Sequence, residues 1–194
     1  MKLVSLLASA FIAASITFAG SASAADPENI MIIELSGGGE VVIALRPDLA
    51  PKHVERIKRL VREGAYDNVV FHRVIDGFMA QTGDVQFGNT TKGYDPARVG
   101  TGGSDLGTLP AEFSKEPFER GVVGMARAMD PNSANSQFFI MFASAPHLNG
   151  QYTVVGQVEQ GMENVDKIKR GSGPNGTVSD PDRMVRVRIA ADEQ

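Results

Sequence analysis

An alternating apolar pattern around three glycines governs how this chain begins to fold. Two sets of apolar residues stand two positions apart on either side of Gly37 to Gly39, namely Met31, Ile33 and Leu35, then Val41, Ile43 and Leu45. Because successive side chains of a strand point to opposite faces, this period places each set on one face. The glycines permit a tight turn between the two halves. The sequence therefore predicts an antiparallel hairpin over residues 30–45.

The period changes after Asp48. Pro51 suits a first helical turn, an apolar stripe of helical spacing follows through Val61, and Gly64 offers a stop, so a helix is expected here. A second short helix is expected over residues 162–170. Strand-like segments cover 69–75, 121–126, 137–143, 152–158 and 184–190, and two polar glycine-rich stretches, 88–110 and 170–182, are expected to be loops. Many short strands with two helices indicate a mainly β fold, a closed or nearly closed antiparallel sheet whose ends the helices cover.

Residues 1–24 have the pattern of a cleavable signal peptide. Lys2 precedes an apolar run from Leu3 to Ala19, and the run ends near the small-residue site Ala22-Ser23-Ala24. The run is shorter than the ~20 strongly apolar residues of a membrane span, which disfavours an anchor. We therefore expect cleavage after Ala24, a single domain over 25–194, no membrane association after cleavage, and a periplasmic location with secretion as the alternative.

Charge and cysteine content exclude several kinds of partner and site. Loss of Lys2 takes the formal charge from −4 to about −5, and no basic run or stripe is present, so nucleic acid is not an expected partner. The absence of cysteine rules out a disulfide framework and thiolate chemistry. A mature chain of about 170 residues can bury an adequate core without disulfides. We expect it to act as a monomer.

The usual catalytic groups are few. None of the three histidines has metal-ligand spacing: His53 is expected to be solvated or near a helix cap, and His72 to be buried and hydrogen-bonded. No Gly-x-Ser-x-Gly elbow occurs, which disfavours a hydrolase. The glycine-rich segment 100–107 lacks the preceding strand and following helix of a phosphate cradle and is expected to be a surface loop. No metal or cofactor is predicted.

Three segments carry a family resemblance: FHRVIDGFMAQTGD at 71–84, GVVGMA at 121–126 and SQFFI at 136–140. Together with YTVVGQV at 152–158 they resemble the cyclophilins, and the match extends across the mature chain. The resemblance implies an eight-stranded antiparallel closed β-barrel capped by two α-helices, with a substrate groove on its outer face. It also implies peptidyl-prolyl cis-trans isomerase activity without a cofactor, acting on proline-containing peptides and unfolded exported proteins.

The resemblance also implies roles for individual residues. It makes Arg73 the catalytic arginine and Gln81 a hydrogen-bonding partner of the substrate, and it matches Ala126 and Arg127 to an edge strand that meets the peptide backbone. The substrate-binding residues expected at this groove are Phe78, Met79, Gln81, Ala126, Arg127, Gln137, Phe139, His147, Leu148 and Tyr152. Strand parity sets Gln137 and Phe139 on one face of their strand and Phe138 and Ile140 on the other.

Three positions depart from the family pattern. Arg127 stands where the family often has asparagine, which should alter substrate preference more than activity. His147 replaces a tryptophan and Tyr152 a histidine of the best-known eukaryotic members, and both changes disfavour tight cyclosporin binding. Because these two residues lie at the groove edge, a peptide-binding or chaperone-like module with incidental isomerase activity is the alternative function.

Overall fold

The computed structural model describes residues 26–193, and the predicted signal peptide lies outside them. Nine strands are present in this part of the chain: β1 (Ile30–Leu35), β2 (Glu40–Leu45), β3 (Val69–Val70), β4 (Arg73–Ile75), β5 (Met79–Thr82), β6 (Val122–Met125), β7 (Phe138–Met141), β8 (Val154–Gln160) and β9 (Arg183–Ile189). The α-helices are α1 (Pro51–Arg62) and α2 (Met162–Val165), and 3₁₀ turns cover Pro27–Asn29, Pro146–Leu148 and Ala190–Glu193. None of the helices in residues 26–193 has the length and apolarity needed to cross a bilayer.

All strand pairs are antiparallel, and the order across the sheet is β3-β9-β1-β2-β8-β6-β7-β5-β4. The two ends of this order, β3 and β4, are separated along the chain only by Phe71 and His72. The sheet therefore curls back to its starting edge. Counted as one interrupted strand, β3 and β4 leave eight strands, and the predicted mainly β, antiparallel barrel with two helices is confirmed.

The barrel interior is a continuous apolar core. Met31, Ile33 and Ile43 of the predicted hairpin are fully buried, and the apolar stripe of α1 packs on the same core through Val54 and Ile57. A second, smaller cluster lies on the other face of β5 and β7 and includes Met79, Phe118, Phe139, Met141 and Leu148. The chain thus builds two apolar regions on opposite faces of one sheet, and only the second one can border an external groove.

Two elements differ from the pattern-based expectation. Strand β5 was not predicted, because Met79 packs in the outer cluster and Ala80 in the barrel core, and a polar residue follows on each face, Gln81 and Thr82, so apolar and polar residues do not alternate. Helix α2 ends at Val165 instead of continuing to residue 170. Beyond it, the amides of Lys167 and Ile168 bond three residues back and the Lys169 amide donates to Asp182 Oδ2 at 2.9 Å, which turns the chain toward β9.

Candidate active site

A row of cross-strand neighbours places the polar part of the site on the outside of the barrel. Arg73 of β4 lies opposite Gln81 of β5, and Gln81 lies opposite Phe139 of β7. Residues directly opposite one another share a face of the sheet, with Cβ atoms about 5 Å apart. The alternate row, which includes Val74 and Ile140, is buried in the barrel core. The structure therefore agrees with the predicted parity of β7, in which Phe138 and Ile140 lie on the opposite face from Phe139.

Arg73 presents a charge with only neutral partners. Its Nε donates to the Asn175 carbonyl at 3.0 Å, and its Nη1 donates to Gln81 Oε1 at 3.2 Å and lies 4.0 Å from Met79 Sδ. Within residues 26–193, Nη2 has no hydrogen-bond partner. Burial lowers the pKa of Arg73 from its ordinary value, yet a guanidinium stays protonated in proteins. The side chain is therefore a fixed hydrogen-bond donor that cannot exchange protons with a substrate.

A chain of amide hydrogen bonds fixes Gln81 and, through it, Arg73. Gln81 Nε2 donates to Gln137 Oε1 at 2.9 Å, and Gln137 Nε2 donates to the carbonyls of Gly100 at 3.0 Å and Gly102 at 2.8 Å. The carboxylate of Asp84, fully buried, accepts hydrogen bonds from the amides of both glycines. The loop at 100–102, which was expected to be a surface loop, therefore supports the site. Its Gly100 and Gly102 amides are already hydrogen-bonded to the Asp84 carboxylate.

A pocket of about 290 Å³ is lined by Arg73, Gln81 and Arg127 together with apolar and aromatic side chains. Met79, Phe139 and Leu148 are almost fully buried at its base. Aromatic side chains form the walls: Tyr152 meets the Phe139 ring edge-on, with centroids 5.9 Å apart, and His147 stacks on Phe78 at 5.7 Å. Such a pocket suits a compact apolar ring.

The groove continues from this pocket into a second cavity of about 190 Å³. Gln81, Ala126 and Arg127 line both cavities, and Gln137 lines the second. The expectation of an edge strand here was wrong, because β6 lies between β8 and β7 in the sheet. Ala126 and Arg127 follow the end of β6, where the chain leaves the sheet and the Ala126 amide still donates to the Gln137 carbonyl at 2.9 Å.

The structure brings the predicted site residues together. Ten of the eleven line the 290 Å³ pocket, and Gln137 lines the adjoining cavity. Phe118 was missed: it is buried beneath the pocket and stacks on Phe139 with centroids 5.8 Å apart. Its position between a proline and a strand gives no periodic signal. Asp84 was also missed as a supporting residue, although it is the last residue of the first segment, 71–84, that carries the resemblance.

Comparison with known proteins agrees with this geometry. The family model of the cyclophilin type peptidyl-prolyl cis-trans isomerases matches residues 30–190. A probable peptidyl-prolyl cis-trans isomerase of Brucella suis is 66% identical over 188 residues, which cover 96% of this chain and 95% of the relative. Among solved structures, cyclophilin AquaCyp293 of Hirschia baltica superposes with a TM-score of 0.72 at 28% identity, covering 87% of this chain and 76% of that one. A cyclophilin type isomerase of Cryptosporidium parvum, crystallised in the presence of the dipeptide Ala-Pro, gives a TM-score of 0.70 at 28% identity, with 82% and 98% covered.

These matches concern the whole domain and not one motif. The family model spans the barrel from β1 to the end of β9, and the Brucella relative aligns along nearly its full length. A pocket for a small ring beside a fixed cation also fits a reaction on proline peptides. The chain belongs to the cyclophilin family and is a peptidyl-prolyl cis-trans isomerase.

Proposed function

We propose that Arg73 promotes isomerisation by donating a hydrogen bond to the nitrogen of the substrate proline. The observation that carries this proposal is that Arg73 lines the pocket and that its Nη2 has no hydrogen-bond partner among residues 26–193. A proline ring seated in the pocket would bring its amide nitrogen to that side chain. The Cryptosporidium relative, crystallised in the presence of Ala-Pro, supports a proline-containing peptide as the occupant.

The chemistry of the amide explains why a fixed donor suffices. Rotation about an X-Pro bond is slow because the amide is conjugated, with a barrier of ~18–20 kcal/mol. No covalent bond is made or broken, so a catalyst needs only to bind the twisted amide better than either planar form. As the bond twists, the proline nitrogen loses conjugation and becomes a better hydrogen-bond acceptor. Each 1.36 kcal/mol of this preference gives about a tenfold rate gain.

The other groove residues would hold the two sides of the bond differently. In this proposal the ring sits against Phe78, Met79, Phe139 and Leu148, and the preceding carbonyl is free to turn. Gln81 anchors a polar group of the peptide, and its orientation is set by Gln137. Ala126 and Arg127, which border both cavities, contact the peptide main chain.

The test is cis-trans exchange of a short proline peptide, measured by NMR for the wild type and for Arg73→Ala. We expect the variant to lose at least about a hundredfold in kcat/KM, which is the scale of removing one preorganised donor from an active site. Arg73→Lys, which keeps the charge but not the geometry of the fork, should recover only part of the rate. Equal rates for wild type and Arg73→Ala would refute the assigned role.

We also propose that the enzyme acts as a monomer on X-Pro bonds of exported proteins and assists their folding in the periplasm. The signal-like segment 1–24 supports this location. Fractionation of cells and N-terminal sequencing of the mature protein would test it: a mature chain that begins at Ala25 in the periplasmic fraction is expected. An uncleaved chain in the cytoplasm would contradict it.

Refolding of a proline-limited client separates the isomerase role from the chaperone-like alternative. If isomerisation is the function, Arg73→Ala should accelerate refolding much less than the wild type. If the variant helps refolding equally while it fails in the peptide assay, peptide binding is the function and isomerisation is incidental.

A further inference from the structure

The groove carries positive charge in a protein whose overall charge is negative. The formal net charge of the chain is −4, but no aspartate or glutamate of the described part of the chain, residues 26–193, lines either cavity of the groove. The charged side chains that do line it are Arg73, which faces the proline pocket, and Arg127, which borders both cavities. A cleft lined by one sign of charge focuses its field and favours ligands of the opposite sign.

Arg127 is held rigidly in this position. Its guanidinium lies 4.4 Å above the Tyr152 ring, and Nη2 and Nε donate to the Gln151 carbonyl at 2.9 and 3.3 Å. Nη1 donates to the carbonyls of Ala128 at 2.8 Å and Met129 at 3.3 Å. A guanidinium has five N–H groups, so at least one remains available after these four bonds. Because the side chain is already ordered, little conformational entropy is lost when a ligand binds to it.

The charge of Arg127 is not neutralised by these contacts. All of its hydrogen-bond acceptors within residues 26–193 are neutral backbone carbonyls. The carboxylate of Asp130, in the same turn, accepts a hydrogen bond from the Asn132 amide at 2.9 Å and forms no ion pair with Arg127. Most other arginines of the chain are different: Arg62, Arg120 and Arg188, for example, each pair with a carboxylate.

From these observations we infer that Arg127 determines substrate specificity, favouring X-Pro peptides that carry a carboxylate within about three residues of the proline. Three residues of extended chain span about 10 Å, enough to run from the proline pocket along the adjoining cavity that Arg127 borders. A carboxylate oxygen can accept the remaining N–H of this guanidinium, and such a charge-assisted hydrogen bond is stronger than one between neutral groups. The inference rests on the isomerase activity of the groove and adds a preference that the family assignment does not supply.

The experiment uses the mature protein and several series of Ala-Pro peptides. Within a series the peptides differ only at one flanking position, which carries Gln, Glu or Lys, and each series varies a different position. At low ionic strength we expect at least one position where kcat/KM follows Glu > Gln > Lys, with about two- to fivefold between neighbours, the range of a partly exposed charge pair. The ratio should shrink toward one in high salt, because screening weakens exposed charges.

Variants of Arg127 locate the source of the preference. Arg127→Gln should abolish the Glu-over-Lys ratio, and Arg127→Glu should invert the ratio, whatever change either variant makes in the rate with the Gln peptide. An inversion is an outcome that mere loosening of the turn would not give. Arg98→Gln is the matched control: Arg98 also stacks on an aromatic ring, 3.7 Å above Phe87, but does not line the groove, and it should leave the ratio unchanged.

The outcomes distinguish failure of the inference from failure of the activity. No turnover of any peptide would contradict the isomerase function itself. Turnover without charge preference, a preference that survives Arg127→Glu, or an equal loss in Arg98→Gln would each overturn the inference for Arg127. The last result would assign the preference to the general field of the protein.

Discussion

At the scale of single residues, the 290 Å³ pocket depends on one position that lacks a side chain. Gly124 of β6 lies opposite Phe139 of β7. A Cβ built on Gly124 would lie 2.5 Å from Phe139 Cζ and 2.6 Å from Phe118 Cε1, closer than such contacts occur in proteins. Both rings are buried and stacked on each other, so neither can move without displacing the other. The pocket floor therefore has its shape because Gly124 leaves room for two rings.

Substitution of Gly124 should impair activity in proportion to the volume added. Gly124→Ala should reduce kcat/KM several-fold and Gly124→Val at least about tenfold, because small misplacements of a binding group cost large factors in rate. Overpacking should also lower the free energy of unfolding by about 1–3 kcal/mol. The measurements are peptide exchange and urea unfolding. Gly37→Val is the control: a Cβ at Gly37 meets only Asp182 Oδ1, at 3.6 Å, and full activity is expected. Full activity of Gly124→Val would contradict this expectation and show that Phe118 and Phe139 can accommodate the added side chain.

At the scale of elements, the helices and strands that bury one regular face could be predicted from the sequence. The hairpin β1–β2 and helix α1 each bury a regular set of side chains, so their periods are visible in the sequence. Strand β5 and the supporting loop at 100–102 could not be predicted in this way. The strand carries an apolar and a polar residue on each face, and the loop is held by Asp84 through contacts 16 and 18 residues apart in the chain. The site residues were available only through family resemblance, since Arg73 and Phe139 have no distinctive local pattern.

The first turn of helix α1 also depends on a distant contact that could not be predicted from the sequence. Its N-cap residue, Ala50, has no side chain that could accept a hydrogen bond. Glu112, distant in sequence, takes this role: Oε1 accepts from the Lys52 amide at 3.2 Å, and Oε2 accepts from the His53 amide at 3.1 Å. His53 Nδ1 lies 2.6 Å from the same Oε2, and its ring is fully buried, so it is near the cap but not solvated. Burial raises the pKa of Glu112, but the hydrogen bonds from His53 and the two amides outweigh it, and the pKa lies below its ordinary value.

Removal of this tertiary cap should destabilise the protein. Glu112→Ala leaves two helix amides and a buried imidazole without their acceptor, so we expect a loss of about 1–3 kcal/mol in the free energy of unfolding. Urea unfolding at pH 7 provides the measurement. Glu116→Ala is the matched control from the same loop: its carboxylate is 3.9 Å from Arg46, and it should cost less than about 0.5 kcal/mol. Similar losses in both variants would mean that Glu112 contributes no more than a surface charge.

At the scale of the whole molecule, the barrel closes through a segment of two residues, Phe71 and His72. The Phe71 amide donates to the Asp182 carbonyl at 2.8 Å, and the His72 carbonyl accepts from the Val178 amide at 3.1 Å, so the closure is bonded to the chain around β9. His72 is buried as expected, but the expectation that it is hydrogen-bonded was wrong, because neither ring nitrogen has a hydrogen-bond partner within residues 26–193. A Cβ on Gly100 would lie 3.1 Å from its ring. Burial lowers the pKa of His72 to about 4, with the charge of Asp84 opposing this shift. The segment that closes the barrel therefore contains an imidazole that is neutral in the folded state above about pH 4.

This imidazole should make the stability of the whole barrel sensitive to mild acid. An unfolded histidine has a pKa near 6.5, so between about pH 6.5 and pH 4 the unfolded chain binds a proton at His72 that the folded chain does not. Stability is then fully present above about pH 6.5 and decreases as the pH falls to about 4. From pH 7 to pH 5 we expect His72 to account for a loss of about 2 kcal/mol in the free energy of unfolding.

Urea unfolding of the wild type and of His72→Gln at pH 7 and pH 5 would measure this loss. Whatever its stability at pH 7, the variant should show a smaller decrease between the two pH values. Glu28→Gln is a control with a different window: hydrogen bonds from Arg62 and Lys58 lower the pKa of Glu28 to about 2, so its contribution is lost only as the pH falls from about 4.5 toward 2. It should leave the decrease between pH 7 and pH 5 unchanged. If His72→Gln and the wild type lose stability equally over this range, His72 accepts a proton in the folded barrel, and the closure tolerates the charge.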